Sequence, residues 1–195
     1  MARPRAFDRD QVLREAIRVF CDKGFAAAST EELMQAMGLS RQSMYNTFGD
    51  KRQLYLLAMA EYQRTGVDDL IERLNQGPTP LQALHDTLQS FATRALREGT
   101  AGCMGVNAIC EFGLEDDEIN QLTAHSAERL RNAFEQTLER AQEQGELTVG
   151  TDRSGACDFL MATLSGMKVA SKGGATTEQL ERIAGFALRA LSAKA

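Results

Sequence analysis

Apolar side chains recur at helical spacing along most of the chain, and short polar or glycine-containing breaks separate these runs. Near the N-terminus the spacing predicts one helix that closes at Gly24, a second that follows the capping box Ser29–Glu32, and a third. The apolar positions of these helices are Leu13, Ala16, Ile17 and Phe20, then Leu33, Met34 and Met37, then Met44 and Phe48. No convincing strand pattern follows residue 54, so the sequence favours an all-α fold.

A tight turn joins the second and third predicted helices. Gly38 breaks the second helix, Leu39 returns to the core, and Ser40 is a natural N-cap for the third. Two helices joined by a short glycine-containing turn are typical of a helix-turn-helix, whose second helix enters the DNA major groove. We therefore expect residues 1–52 to form a three-helix DNA-binding domain.

The third predicted helix has a polar outer side. Because Met44 and Phe48 share its inner side, Gln42 and Asn46 point outward. Arginine pairs with guanine and Gln or Asn pairs with adenine, whereas hydroxyl and ammonium groups suit phosphates. The candidate DNA contacts here are Arg41, Gln42, Ser43, Tyr45, Asn46, Thr47 and Lys51. A helix side that is merely solvated would be equally polar, which is the alternative interpretation.

Charge is distributed unevenly along the 195 residues, whose net charge is −5. Residues 1–52 hold 9 Lys and Arg against 7 Asp and Glu, and residues 53–195 hold 13 against 20. Arg3 and Arg5 lie on a proline-containing arm of a kind that reaches into the minor groove in several helix-turn-helix proteins, although a solvated tail is the alternative. A mildly basic N-terminal region can bind phosphates with modest non-specific affinity.

Residues 53–195 read as a helical body of about six helices, the first of which starts at Lys51 and runs to about Asn75. The clearest break is Gly77-Pro78-Thr79-Pro80. A short apolar segment, Cys103 to Phe112, precedes a long helix that ends at about Glu143. The last two helices are predicted at Arg153–Ser171 and Thr176–Ala193.

Residues 8 to about 58 closely resemble the N-terminal region of the TetR family of bacterial transcriptional regulators. The matching elements are Gly24-Phe25, Ser29-Thr30, Gly38-Leu39-Ser40, Tyr45, Phe48, Lys51 and Leu54. Thr47 departs from the family pattern, since many members carry His there. The resemblance implies that the third helix faces DNA and that Thr30 and Lys51 grip phosphates.

The resemblance also implies that the last two helices pair with their copies in a four-helix bundle. Such a homodimer would hold two DNA-binding domains about 34–36 Å apart and require a palindromic operator. The predicted interface residues are Phe159, Leu160, Leu164, Met167, Leu180, Ile183, Ala187 and Leu188. The alternative is that these apolar positions belong to the protein's own core.

The middle helices are expected to enclose a pocket for an unidentified small-molecule effector, and the resemblance implies that its binding shifts the fourth helix. Candidate lining residues are Met59, Tyr62, Phe91, Met104, Phe112, Phe134, Phe159 and Met161, although Met and Phe at such positions are more often plain core. Cys103 is a candidate thiol sensor because it stands at a turn that opens a helix, where the helix N-terminus favours the thiolate. A small buried residue is the alternative. Cys103 and Cys110 would lie about 10.5 Å apart along one regular helix, too far for a disulfide.

Several other functions are disfavoured. With only His85 and His125, no Cys-x-x-Cys and no phosphate loop or nucleophile elbow, we expect no metal, no cofactor and no enzyme activity. No apolar run is long enough for a membrane span, and the start does not read as a secretory signal, so we expect a soluble cytoplasmic protein with reduced thiols. The combined prediction is a homodimeric repressor that a small molecule or a thiol-reactive signal releases from its operator. A helical adaptor that binds proteins without DNA is the alternative.

Overall fold

The computed structural model describes residues 7–97 and 103–193, excluding the side chains of 93–97. Nine helices lie in these residues: α1 (Arg9–Ala27), α2 (Thr30–Met37), α3 (Arg41–Phe48), α4 (Lys51–Leu74), α5 (Pro80–Arg97), α6 (Met104–Phe112), α7 (Asp117–Glu143), α8 (Arg153–Lys172) and α9 (Thr177–Leu191). The described part has a single antiparallel bridge, between Leu147 and Ser192, and no named strand. The predicted all-α class, with three helices followed by six, is confirmed.

Local sequence signals set the boundaries of the first helices. Ser29 and Glu32 form the predicted reciprocal capping box at the start of α2, and Gly38 ends that helix with a left-handed φ of 64°. Gly24 has a φ of 78° inside α1, so the predicted break is present as a kink, after which the chain continues to Ala27. Positive φ at these two positions favours glycine because it has no Cβ.

Buried apolar side chains form two clusters. The N-terminal cluster joins α1–α3 to the first half of α4 and takes in Met104 and Ala108 of α6 and Ile119 of α7. The C-terminal cluster fills the space among α5, α7, α8, α9 and the second half of α4. One continuous helix, α4, therefore contributes to both cores. A domain division at residues 52/53 stays a prediction.

Two backbone hydrogen bonds connect the end of the described chain to the loop between α7 and α8. The backbone N–H of Thr148 donates to the carbonyl of Leu191 at 3.0 Å, and that of Ala193 donates to the carbonyl of Glu146 at 2.8 Å. These bonds hold α9 beside α5 and α8, against which it packs. Among the described residues, no helix has both the length and the apolar character needed to cross a membrane.

Candidate DNA-binding surface and ligand cavity

Buried side chains on the inner side of helix α3 and a capping hydrogen bond in its first turn fix its position. Met44 and Phe48 are buried in the N-terminal cluster. The side chain of Ser40 accepts the backbone N–H of Ser43 at 3.2 Å, which caps the helix as predicted. Because these contacts fix the rotation of α3 about its axis, the opposite side of the helix faces outward.

The outward side of α3 carries the side chains that the sequence singled out. The exposed residues are Arg41, Gln42, Tyr45 and Asn46, whereas Ser43 and Thr47 are half-buried. The guanidinium of Arg41 lies 5.9 Å from the centroid of the Tyr45 ring, within range of a cation–π contact. This surface therefore presents a guanidinium, two amides and a phenol hydroxyl on one short, capped helix.

The flanking candidates differ in how they are placed. Lys51 begins α4, where its ammonium lies 4.5 Å from the centroid of the Phe25 ring and donates to the carbonyl of Ala26 at 3.4 Å. Lys51 thus joins the end of α1 to the start of α4 through its own side chain. Thr30 is the first residue of α2 and is half-buried.

The remaining predicted DNA contacts are Ser43, Arg3 and Arg5. The hydroxyl of Ser43 shares a hydrogen bond with that of Ser40 at 2.9 Å, so it already has a partner within the cap. Arg3 and Arg5 lie outside the described residues.

Helix α6 binds the backbone of α1 around its kink. The side-chain amide of Asn107 donates to the carbonyls of Phe20 and Cys21 at 3.1 and 2.9 Å. The carboxylate of Glu111, four residues further along α6, accepts the backbone N–H of Phe25 at 2.7 Å. A kink interrupts the helical hydrogen-bond ladder, so these two side chains satisfy backbone groups on both sides of it.

The close approach of α6 also constrains Gly24. A Cβ at Gly24 would overlap the carboxylate of Glu111, so that side chain would have to move away from the N–H of Phe25. Sequence reasoning missed the roles of Asn107 and Glu111, although a signal was present. They are polar residues four positions apart in an otherwise apolar helix, which places them on one side of it.

An ion-pair cluster makes a second connection between the N-terminal helices and the body. Arg52 of α4 binds the carboxylate of Asp116 through two nitrogens, at 2.7 and 3.1 Å, and that of Glu118 at 2.8 Å. The guanidinium of Arg52 holds the pKa of Asp116 below its usual range. Asp116 also caps α7 by accepting the backbone N–H of Ile119. The start of α4 is therefore attached to the start of α7.

A cavity of about 340 Å³ lies among α4, α6, α7 and α8, with one contribution from α5. Three of the eight predicted lining residues line it: Tyr62, Phe91 and Met161. The other five do not line it, and for four of them the structure agrees with the plain-core alternative. Met59, Met104 and Phe112 pack in or against the N-terminal cluster, Phe134 is buried in the C-terminal cluster, and Phe159 is exposed on the outer side of α8.

Cys103 is the N-cap residue of α6, is buried, and lines the cavity. The hydroxyl of Tyr62 donates to its sulfur at 3.3 Å. The burial agrees with the plain-core alternative, whereas the position beside the cavity is what a sensor needs. Elsewhere, burial raises the pKa of the Cys21 thiol to about 12, which disfavours its thiolate.

The predicted interface on α8 and α9 requires correction. The side chains of Leu160, Leu164, Met167, Leu180, Ala187 and Leu188 are buried in the protein's own C-terminal cluster, so they form core and not free surface. Phe159 and Ile183 are 41% and 39% exposed, as an interface requires. Phe186, which the sequence analysis did not select, is 69% exposed and lines a shallow groove with them.

Family models match both parts of the chain. The model described as bacterial regulatory proteins, tetR family, matches residues 12–58. The model described as tetracyclin repressor-like, C-terminal domain, matches residues 77–186, which is more than half of the chain.

Individual proteins match along nearly the whole chain. The HTH-type transcriptional regulator YezE of Bacillus subtilis strain 168 is 34% identical over 163 residues, 82% of this chain and 84% of that protein. The HTH-type transcriptional repressor ComR of Escherichia coli K12 is 28% identical over 190 residues, 96% of this chain and 90% of that protein. A cysteine mutant of the regulator CifR, solved in complex with 26-base-pair operator DNA, is 28% identical with a TM-score of 0.85, covering 97% of this chain and 100% of that chain.

Proposed function

Because the chain belongs to the TetR family of DNA-binding transcriptional regulators, we propose that it is a repressor that binds a palindromic operator as a homodimer. A small molecule in the cavity, or modification of Cys103, would release it. The observation that carries this proposal is the outward side of α3, where Arg41, Gln42, Tyr45 and Asn46 are exposed opposite the buried Met44 and Phe48.

The proposed DNA contacts divide by chemistry. Gln42 and Asn46 would read adenine edges and Arg41 guanine, since these side chains match the donors and acceptors of the major groove. Tyr45 and the half-buried hydroxyls would bind phosphates, with Lys51 beside them. The full set of proposed contacts is Arg3, Arg5, Thr30, Arg41, Gln42, Ser43, Tyr45, Asn46, Thr47 and Lys51.

The proposed dimer uses the exposed apolar groove of α8 and α9. Phe159, Ile183 and Phe186 are large apolar side chains that water otherwise covers, and aromatic anchors are enriched at protein interfaces. CifR, at 28% identity, was solved in complex with a 26-base-pair operator. Two copies of α3 held in one dimer would bind a two-part operator more tightly than either copy alone.

Helix α6 would transmit the effect of ligand binding from the cavity to α1, and so lead to release from DNA. One side of α6 lines the cavity at Cys103, Val106 and Ile109. Asn107 and Glu111 bind the backbone of α1, and Lys172 of α8 donates to Asn107 at 2.6 Å. A ligand that favours a shifted position of α6 would alter both attachments, and differential affinity for the two positions would drive the change. The fourth helix, which also lines the cavity, would move with them.

The DNA-binding proposal is tested with Tyr45→Ala in fluorescence-anisotropy titrations on the DNA upstream of the gene. The variant is expected to keep its thermal unfolding transition and to lose operator affinity, because Tyr45 is exposed and contributes little to the core. Leu114→Ala, at a residue that is 90% exposed in the body, is the matched control. A folded Tyr45→Ala protein with wild-type affinity would favour the adaptor alternative.

The thiol signal is tested with Cys103→Ser and the electrophile N-ethylmaleimide. The Cys103 thiolate would add across the maleimide double bond to form a thioether that projects into the cavity. We expect the variant to keep operator affinity and to resist release by the reagent. Cys110→Ser, which removes an exposed cysteine of the same helix, is the control. An unaltered response in Cys103→Ser would end the sensor hypothesis.

A further inference from the structure

The cavity among α4, α6, α7 and α8 has a small set of polar groups on an otherwise apolar wall. Its volume of about 340 Å³ is at the lower end of the range for small-molecule sites. The apolar part of the described lining comes from Val67, Leu70, Phe91, Val106, Ile109, Leu130, Met161 and Leu164. The polar part therefore decides which ligands the cavity prefers.

Gln63 presents a hydrogen-bond acceptor that has no partner among the described residues. Its amide nitrogen lies 3.3 Å from the hydroxyl of Thr123 and 3.2 Å from the sulfur of Met59. The Thr123 hydroxyl gives its own hydrogen to the carbonyl of Ile119 at 2.8 Å, so it can only accept from Gln63. Both partners are acceptors, which fixes the orientation of the amide.

This orientation leaves the Oε1 atom of Gln63 unpaired. The residue is 9% exposed, and the oxygen has no hydrogen-bond partner in the described part of the chain. A buried polar atom without a partner costs free energy. A ligand that donates a hydroxyl or amide hydrogen to this oxygen would remove that cost.

Helix α8 supplies a cation and a second unpaired oxygen. Lys168 and Ser171 are three residues apart, so they lie on the same side of the helix, and both line the cavity. Ser171 is 4% exposed, and its hydroxyl has no partner among the described residues. Within the described lining, Lys168 is the one residue of the Lys, Arg, Asp and Glu types. An ammonium beside a hydroxyl donor is suited to a carboxylate.

We infer that the cavity binds a small carboxylate with an apolar body and a second group that donates a hydrogen bond, a hydroxy acid in chemical class. This inference rests on the proposed function, in which the cavity holds the effector. Lys168 and Ser171 bind the carboxylate, the Oε1 atom of Gln63 accepts from the hydroxyl, and the apolar wall packs against the body. Lys172, four residues after Lys168 and so on the same side of α8, donates to Asn107 of α6.

Titration calorimetry on the full-length protein tests the carboxylate. The probes are 4-hydroxyphenylacetate and 3-hydroxyoctanoate, each compared with its uncharged primary amide. At least one acid is expected to bind about tenfold more tightly than its amide, because a charge-assisted contact is lost in the amide. Lys168→Met should remove this preference and Lys168→Arg should retain it. Arg153→Gln, which removes a charge from the start of the same helix, should change nothing.

A second comparison tests the hydroxyl. The wild-type protein is expected to prefer any hydroxy acid that it binds to the matching deoxy acid, phenylacetate or octanoate, and Gln63→Leu should abolish that preference. The unfolding temperature of each variant, measured without ligand, separates altered binding from loss of structure. The inference is overturned if neither acid binds at millimolar concentration, if the amides bind as well as the acids, or if Lys168→Met leaves the preference intact.

Operator anisotropy on the same samples separates this inference from the proposed function. Operator binding without carboxylate selectivity overturns the ligand class alone. Carboxylate binding that leaves the operator complex intact supports the ligand class and contradicts release by the cavity.

Discussion

Helices α3 and α9 are both short and amphipathic, yet their outer sides have opposite chemistry. The outer side of α3 presents Gln42 and Asn46, which carry donors and acceptors in fixed geometry. The outer side of α9 presents Ile183 and Phe186, which carry none. Polar side chains on a capped helix are suited to reading base edges, whereas exposed aromatic and aliphatic groups are suited to another protein surface. This difference supports the proposal that α3 binds DNA and that α9 contacts a second copy of the chain.

Phe186→Asp tests the proposed dimer surface on α9 and is expected to have the largest effect on operator affinity. A carboxylate in the groove is expected to dissociate the dimer and lower operator affinity roughly hundredfold, because simultaneous binding of two half-sites is lost. Sedimentation velocity reports the mass and anisotropy reports the affinity.

Val149→Asp adds the same charge at a fully exposed residue between α7 and α8 and is the control for Phe186→Asp. A Phe186→Asp protein that still sediments as a dimer would show that the groove of α8 and α9 is not the interface.

Gln42→Ala tests the proposed reading of bases by the outer side of α3. The substitution should relax base preference at one operator position and cost about 1–3 kcal/mol of binding free energy, while the melting temperature stays unchanged. Competition among duplexes that each carry one base change measures the preference. Gln35→Ala, at an exposed position of α2, is the matched control. Unchanged specificity in the Gln42 variant would remove it from the base-reading set.

Glu32→Gln tests a smaller effect, the electrostatic stabilisation of the DNA-binding helices. Lys23 and the cap residue Ser29 lower the pKa of Glu32 from its ordinary value of 4.5 to about 2. The ionised carboxylate therefore stabilises the folded state above pH 4.5, and this contribution is lost as the pH falls towards 2. The difference in melting temperature between wild type and variant should shrink over that window.

The control for this pH experiment is Glu31→Gln, which changes the net charge equally on the same helix. A wild-type advantage over Glu32→Gln that stays constant from pH 5 to about pH 2 would contradict the assignment of the low pKa to Glu32.

Local signals explain why the sequence predicted α2 and α3 well. The capping box Ser29–Glu32, the left-handed Gly38 and the cap Ser40 act within a few residues, so each can be read from the chain. The inner residues Met44 and Phe48 then determine which side faces out. No partner from a distant segment is needed for this inference.

The last helices were harder to predict because apolar residues occur around much of their circumference. In α9 the stripe centred on Leu180, Ala184 and Leu191 turns inward, which leaves Ile183 and Phe186 at its exposed edge. Periodicity identifies an apolar helix but does not say whether its own protein or a second copy covers each side. Only the packing of α5 and α8 against α9 decides that.

The partners in the long-range polar contacts were not predictable from the sequence. Asn107 and Glu111 meet α1 more than eighty residues away along the chain, and Arg52 meets Asp116 across sixty-four. Nothing in the local pattern names these partners. Likewise, that the side-chain oxygens of Gln63 and Ser171 lack partners among the described residues becomes visible only when the surrounding helices are in place.

The main proposal is tested by letting the wild-type protein select DNA duplexes from a random pool at fixed physiological salt. This experiment tests DNA reading by α3 and pairing of two copies at the same time. The account predicts enrichment of an inverted repeat whose half-site centres are about one helical turn, 34–36 Å, apart. Two copies of α3 in a symmetric dimer require that symmetry and spacing. Enrichment of a sequence without two-fold symmetry, or no enrichment, would contradict the proposal that paired copies of α3 read a palindromic operator.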